Sequence, residues 1–285
     1  MGISDGVMIV IPIYQKKLSG FEEISLRQTA KVLRHHPFTF VTYDSVDTHS
    51  HDKILVEYGI KTRRILFDLK FFNSISGYNR LLTSLHFYKN FKSYRYVLIV
   101  QLDVFVFADE LADWCRKDYD YVGAPWLEGM NDAEHDASYV GVGNGGFSLR
   151  KVESALRILR SLSYIQRPGD VIRRFFQNPE TGFVKRFGRL VRDLSIANNT
   201  FLFFNNYSGY EDHFWGSIAQ RNFKWYRVPE PEEAVRFSME VQPRSLYKRN
   251  GDKLPFGCHA WWRYDLEFWR PFLEKEGHIL PISDQ

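Results

Sequence analysis

The run Tyr96-Val-Leu-Ile-Val-Gln-Leu-Asp-Val-Phe-Val-Phe107 constrains this chain more than any other segment. It is almost continuously apolar, the pattern of a central strand covered on both faces. Gln101 and Asp103 are set into it. A buried carboxylate is costly unless it is paired or holds a metal. In open α/β sheets, ligands gather at the carboxyl ends of the strands. Asp103 is therefore a candidate site residue, and the alternative is that it caps the following Ala108-Asp109-Glu110-Leu111 segment.

The residues before this run alternate between strand and helix patterns. Strands are predicted at 7–13, 38–43 and 62–67, with helices at 21–33 and 52–58. Tyr78, Leu81, Leu82, Leu85 and Tyr88 recur at helical spacing. Strands alternating with helices imply right-handed crossovers and a largely parallel sheet. The fold class is therefore α/β. After residue 107 the pattern loosens into short strands, a polar loop at 128–138, the glycine-dense turn 140–150 and a helix from Val152.

The 285 residues, 44% of them hydrophobic, suffice for one large core, and we read 1–285 as a single domain. No apolar run approaches the ~20 residues of a membrane span. The start Met1-Gly-Ile-Ser-Asp-Gly has no basic region, so no signal peptide is expected. Cys115 and Cys258 form no framework, which fits a reducing cytoplasm. The net charge of +4 is carried by residues 167–193, with seven Lys/Arg against three acids. A nucleic-acid-binding chain would show a broader basic field, so no nucleic-acid partner is expected.

Within that basic segment, Phe183, Val184, Phe187, Leu190, Val191 and Leu194 share one helical face, and Lys185, Arg186, Arg189 and Arg192 the other. Residues 182–194 thus read either as an element lying on an anionic membrane surface or as a packed helix with a solvated basic face. Gly141-Val-Gly-Asn-Gly-Gly146 is not placed as a dinucleotide fingerprint. Its glycines allow close backbone approach to a ligand, with Asn144 beside them, or else make a tight structural turn. In Gly209-Tyr-Glu-Asp-His-Phe-Trp215, Asp212 can serve as a general base, or the acid pair can cap a helix. His259 is either a metal or phosphate partner or a satisfied core residue. Aromatic faces beside hydrogen-bonding groups suit sugars, so Trp126, Glu128, Trp215 and Trp261 are candidate acceptor contacts.

The strings Gln101-Leu-Asp103-Val-Phe-Val-Phe, Gly123-Ala-Pro-Trp126, Gly143-Asn-Gly-Gly-Phe-Ser-Leu-Arg150, Glu211-Asp212 and Pro255-Phe-Gly-Cys-His259 occur in an informative order. Together they resemble the glycosyltransferase-A fold, and one glycosyltransferase-like family catalogued as a domain of unknown function. The resemblance implies a Rossmann-like α/β fold with a central, mostly parallel mixed sheet flanked by helices. It also implies a nucleotide-sugar-binding half (1–107) and an acceptor-binding half (108–285).

By the same resemblance Asp103 would hold Mn²⁺ or Mg²⁺ on the donor diphosphate, with His259 a second ligand. Gln101 stands where the fold's Asp-x-Asp motif has its first acid. Asp212 would be the base of an inverting hexosyltransferase, and Glu211 would bind acceptor or anchor the loop. Pro12, Tyr14, Asp44, Tyr78, Asn79, Arg80, Gln101, Asn144, Gly145 and Gly146 would line the donor pocket. The activity implied is transfer from a nucleotide-sugar, a UDP-sugar for preference, to a carbohydrate acceptor. If the basic helix touches a membrane, that acceptor is a lipid-linked glycan of surface polysaccharide assembly and the protein is peripheral on the inner membrane face. A sugar-nucleotide-forming nucleotidyltransferase and a non-catalytic carbohydrate-binding module are the alternatives.

Overall fold

The computed structural model describes residues 4–177, 182–195, 198–200, 203, 204, 207 and 209–281. The first third alternates as its sequence predicts: β1 (Ser4–Pro12), α1 (Gly20–Leu33), β2 (Phe38–Thr42), α2 (His49–Glu57), β3 (Thr62–Leu66), α3 (Ile75–Leu82), α4 (Leu85–Lys89) and β4 (Tyr94–Val100). Ser19 starts α1 with a capping box, its hydroxyl accepting from the Glu22 amide while the Glu22 carboxylate accepts from the Ser19 amide.

The predicted strand 96–107 is two strands. β4 stops at Val100, and β5 (Val104–Val106) begins after Gln101-Leu102-Asp103. An amide and a carboxylate cannot lie in a strand covered on both faces, so the chain turns there, with the Val104 amide donating to the Gln101 carbonyl. The polar pair is thereby delivered to the end of the central strand.

The chain continues through α5 (Leu111–Arg116), β6 (Tyr121–Val122), β7 (Ala124–Leu127), β8 (Tyr139–Gly143), β9 (Phe147–Lys151), α6 (Val152–Arg160), α7 (Pro168–Gln177) and α8 (Phe183–Leu194). A short helix, Glu211–His213, runs on as a π-helical turn, Phe214–Ile218. β10 (Ser238–Met239), β11 (Gly257–His259) and a last helix, Leu266–Lys275, follow.

The main sheet has the order β3-β2-β1-β4-β9-β6. β1 pairs in parallel with β2 and β4, and β2 with β3, while β9 is antiparallel to both β4 and β6. The sheet is therefore mixed and mostly parallel. β6 and β9 come from beyond residue 107, so both parts of the chain contribute strands to this sheet. Alternate residues feed two cores. Tyr96, Leu98 and Val100 pack with Leu26, Ala30 and Leu33 of α1 on one face. Val97 and Ile99 pack with Ala155, Ile158 and Leu159 of α6 on the other. Each fully buried side chain of this kind contributes about 1.5–3 kcal/mol.

A second sheet, β10-β11-β5, covers a third core containing Phe105, Cys258, Trp261 and Trp269. Two of the tryptophans expected to meet an acceptor belong to cores. Trp215 is 1% exposed with its indole N–H donating to the Leu82 carbonyl, and Trp261 is 0% exposed with its N–H donating to the Ser25 hydroxyl. Neither offers a ring face to a ligand.

Candidate active site

Strand pairing assembles the first cluster. β11 runs antiparallel to β5 with His259 opposite Val104, which sets His259 beside Asp103. β10 runs parallel to β11 with Met239 opposite Cys258, so Glu240, the next residue, falls beside His259. The imidazole Nδ1 is 2.8 Å from Glu240 Oε1, and Nε2 is 3.1 Å from Asp103 Oδ1. Burial would push His259 down, but the Asp103 and Glu240 carboxylates outweigh it and hold the imidazole well above its ordinary value. Burial would push Asp103 up, but the charges of His259 and Arg263 hold it below the usual carboxylate value. No local sequence pattern marks Glu240 or Arg263.

These residues fit a divalent cation. Asp103 Oδ1 is buried and takes no aligned hydrogen bond. Its 3.1 Å separation from His259 Nε2 is close to the roughly 3.0 Å between two neighbouring ligands of an octahedral cation with ~2.1 Å bonds. Glu240 engages the other ring nitrogen and so fixes the imidazole with Nε2 facing Asp103; a cation bound there would take the place of the Nε2 proton. Among the described residues no group of three or more His, Cys, Asp or Glu is arranged to hold a metal. Asp103 and His259 would thus be two protein ligands of a hard cation whose remaining positions would be filled by other oxygen ligands.

Gln101 joins this cluster to Tyr14, just past the end of β1. Its amide nitrogen donates to the Tyr14 hydroxyl at 3.2 Å, and its amide oxygen is 3.4 Å from His259 Nε2. The Tyr14 ring meets Tyr78 edge-on, with centroids 5.6 Å apart. Burial raises both phenols, so they stay protonated. The other proposed donor contacts divide. Pro12 is buried at the end of β1, whereas Asp44 and Arg80 are exposed. Asn79 is 9% exposed and its side-chain oxygen accepts from the Glu211 amide, which ties it to the acid pair.

The second cluster is built on the Asn144-Gly145-Gly146 turn before β9. Asn144 has φ +80°, and its side-chain oxygen accepts from the amides of Gly146 and Phe147, the local bonding that makes this backbone tolerable for asparagine. Its side-chain nitrogen is buried without a partner. A Cβ on Gly145 would lie 2.2 Å from Glu211 Oε1, and one on Gly146 only 2.0 Å from His259 Nε2. The glycines therefore let the backbone run between the acid pair and the histidine. The Gly146 carbonyl also accepts from the Gln101 amide at 2.9 Å.

The two acids have different surroundings. Glu211 is 2% exposed and takes two hydrogen bonds from Arg150, at 2.6 and 2.8 Å. Arg150 is itself 2% exposed. Of the two roles expected of Glu211, acceptor contact and loop anchoring, this pairing with Arg150 of β9 fits the second. Asp212 accepts from the Asn144 amide at 3.1 Å and the His213 amide at 2.8 Å. Burial pushes its carboxyl up, the two amides oppose the shift, and Glu240 adds to it. A carboxylate held this way is a stronger base than an exposed one. The π-helical turn just after it is the kind of irregularity often found at functional sites.

Trp126 is the one proposed acceptor tryptophan near this acid, half-buried over Gly143 with its ring 6.1 Å from that of His213. Glu128 is exposed, holding the Ser138 hydroxyl at 3.0 Å.

Residues 61–259 match the family described as "Protein of unknown function (DUF5672)". This chain belongs to that family. No curated protein matches its sequence. Among solved structures, the galactosyltransferase LgtC in complex with donor and acceptor sugar analogs aligns with a TM-score of 0.51 at 12% identity, over 97% of this chain and 98% of LgtC. The apo glycosyltransferase GlyE of Streptococcus pneumoniae TIGR4 aligns with a TM-score of 0.46 at 14% identity, over 98% of this chain. This chain spans 66% of the GlyE chain. At such identities the likeness establishes a fold and not a reaction. The fold is that of the glycosyltransferase-A enzymes.

Proposed function

We propose that this protein transfers a sugar from a nucleotide-sugar, a UDP-sugar, to a hydroxyl of a carbohydrate acceptor, with inversion at the anomeric carbon. The observation that carries the reading is a single turn, Asn144–Gly146, with the Asp103–His259 pair on one side and the half-buried Asp212 on the other. Asp103 and His259 Nε2 would hold Mn²⁺ or Mg²⁺, which when bound neutralises charge on the departing diphosphate. Arg263, exposed and close enough to act on Asp103, would add positive charge for the same leaving group. Tyr14, Tyr78 and Gln101 would face the nucleotide. Trp126 would take the acceptor's C–H face, placing a hydroxyl near Asp212.

Asp212 accepts the acceptor's proton as the new C–O bond forms and the bond to the diphosphate oxygen breaks. A positioned base of this kind contributes about 10²–10⁴ in rate. Transfer should therefore fall by about that factor in Asp212→Asn while nucleotide binding is kept. Turnover surviving in that variant overturns the assignment. A sugar-binding module needs no such base, and nucleotidyl transfer would use a different leaving group.

The acceptor side also supports contact with an anionic membrane. No described helix is long and apolar enough to cross a membrane. Along α8, however, Phe183 (63%), Val184 (83%), Phe187 and Val191 are exposed, and α7 adds Phe176. Apolar residues left in water beside Lys185, Arg189 and Arg192 suit a surface that is both greasy and negative. A glycolipid acceptor would reach the site from there. In flotation the protein should rise with phosphatidylglycerol-containing vesicles and not with neutral ones. Equal behaviour toward both sinks the membrane reading.

A further inference from the structure

A cavity of about 660 Å³ opens on the far side of His213, between α7, α8 and the helix that follows Glu211. Among the described residues, Arg167, Arg173, Arg174, Arg192 and Arg221 line it together with His213, against two acids, Asp170 and Asp193. The acids are spoken for. Asp193 is 2.8 Å from Arg192, and Asp170 is 3.8 Å from Arg173. The other three guanidinium groups have neutral partners. Arg167 donates to the Arg221 carbonyl at 2.8 Å, Arg174 to the Gln166 side-chain oxygen, and Arg221 to the Ser217 carbonyl at 3.4 Å. Three exposed guanidiniums thus face one cavity with no carboxylate partner among the described residues, an arrangement that attracts an anion.

The cavity adjoins the proposed chemistry. His213 follows Asp212 directly, lines the cavity, and has its ring 6.1 Å from that of Trp126. Tyr207, also in the cavity wall, is held up by burial and by the Asp212 and Glu211 charges. Burial and the Arg221 charge together lower His213. A molecule resting a sugar on Trp126 with a hydroxyl at Asp212 would extend past His213 into the arginines.

We propose that the acceptor carries a phosphate monoester or diphosphate group, bound by Arg167, Arg174 and Arg221. This deepens the transferase reading and rests on it, because it names the class of the acceptor at the same site. Planar guanidinium forks match phosphate oxygens two at a time, which makes the site selective for phosphate over a single carboxylate. The phosphate can come from a soluble sugar phosphate or from the head of a phospholipid-linked glycan. Both would present the same group to the arginines.

The test uses glucose 1-phosphate and glucose as soluble probes, titrated calorimetrically into the full chain in EDTA so that no metal-bridged binding at Asp103 contributes. Glucose 1-phosphate should bind and glucose should not. The triple variant Arg167→Gln, Arg174→Gln, Arg221→Gln should bind it at least about tenfold more weakly, since hydrogen bonds to charged groups are each worth that much. The corresponding triple Lys variant keeps the charge but loses the fork, so it should bind more weakly than wild type and more tightly than the Gln variant, which separates lost recognition from lost folding. Flotation with phosphatidic acid against phosphatidylglycerol vesicles identifies the source: a preference for the monoester lipid that the Gln variant loses assigns the phosphate to a lipid, and no preference alongside glucose 1-phosphate binding assigns it to a soluble acceptor. Failure of wild type to bind either phosphate probe, or unchanged binding in the Gln variant, overturns the proposal. Donor binding, followed separately by nucleotide-dependent thermal shifts, stands or falls independently of these results.

Discussion

The substitution Gly146→Ala probes the contact on which both clusters depend. Its new methyl would lie 2.0 Å from His259 Nε2, and 2.5 and 2.6 Å from the two flanking ring carbons. Ordinary contact starts near 3.4 Å, so ring and backbone must separate by roughly 1.4 Å to approach the van der Waals minimum. Neither moves freely. The turn is held by the Asn144 side chain at 3.0 and 3.2 Å and by the Gln101 amide at 2.9 Å, while the ring is held by Glu240 at 2.8 Å. Overpacking of this kind costs about 1–3 kcal/mol. Displacing the ring also spoils the Asp103–His259 spacing, and disturbed ligand orientation costs roughly 10–100-fold in metal affinity. Urea unfolding reads the first effect and Mn²⁺ titration by calorimetry the second. Wild-type stability together with wild-type Mn²⁺ affinity in Gly146→Ala would refute the geometry.

Three further outcomes are expected. Glu240→Gln keeps a hydrogen-bonding partner for the ring but removes its charge, so Mn²⁺ affinity should drop by about 10-fold or more with the fold intact, by Mn²⁺ titration and circular dichroism. Because Asp212 is active only when deprotonated and burial raises its pKa, kcat/KM should fall on the acid side with a midpoint above the ordinary aspartate value of about 3.9. A flat profile down to that pH counts against Asp212 as the base. Arg150→Met leaves Glu211 buried without its partner, which should cost about 3–5 kcal/mol in urea unfolding; a loss under 1 kcal/mol, the ~0–1 kcal/mol worth of an exposed pair, contradicts the anchoring role.

The alternating first third, the polar interruption at Gln101–Asp103 and the glycine turn were legible because each is a local pattern. Apolar periodicity marks strands and helices, and a carboxylate in an apolar run marks a strand end. The partnership of Asp103 with His259 was suggested only by resemblance, because it depends on β5 and β11 pairing across the chain. Glu240 was illegible for the same reason: its role comes from a two-residue strand whose register with β11 sets it beside the histidine. Trp215 and Trp261 misled because a tryptophan next to polar motif residues can bury its ring and satisfy its N–H internally, on the Leu82 carbonyl or the Ser25 hydroxyl. The acid pair was ambiguous in sequence, since neighbouring carboxylates point differently. Arg150, sixty-one residues away, decides which one is consumed as an anchor.

The central claim is that Asp103 and His259 present a nucleotide-sugar through a divalent cation. A thermal-shift screen of UDP- and GDP-sugars, with and without Mn²⁺, tests it directly, because a ligand that binds only the folded state raises the melting temperature by mass action. The account predicts stabilisation by a UDP-sugar that requires Mn²⁺ and disappears in Asp103→Asn. Stabilisation that is indifferent to both Mn²⁺ and Asp103, or none with any nucleotide-sugar, would contradict it.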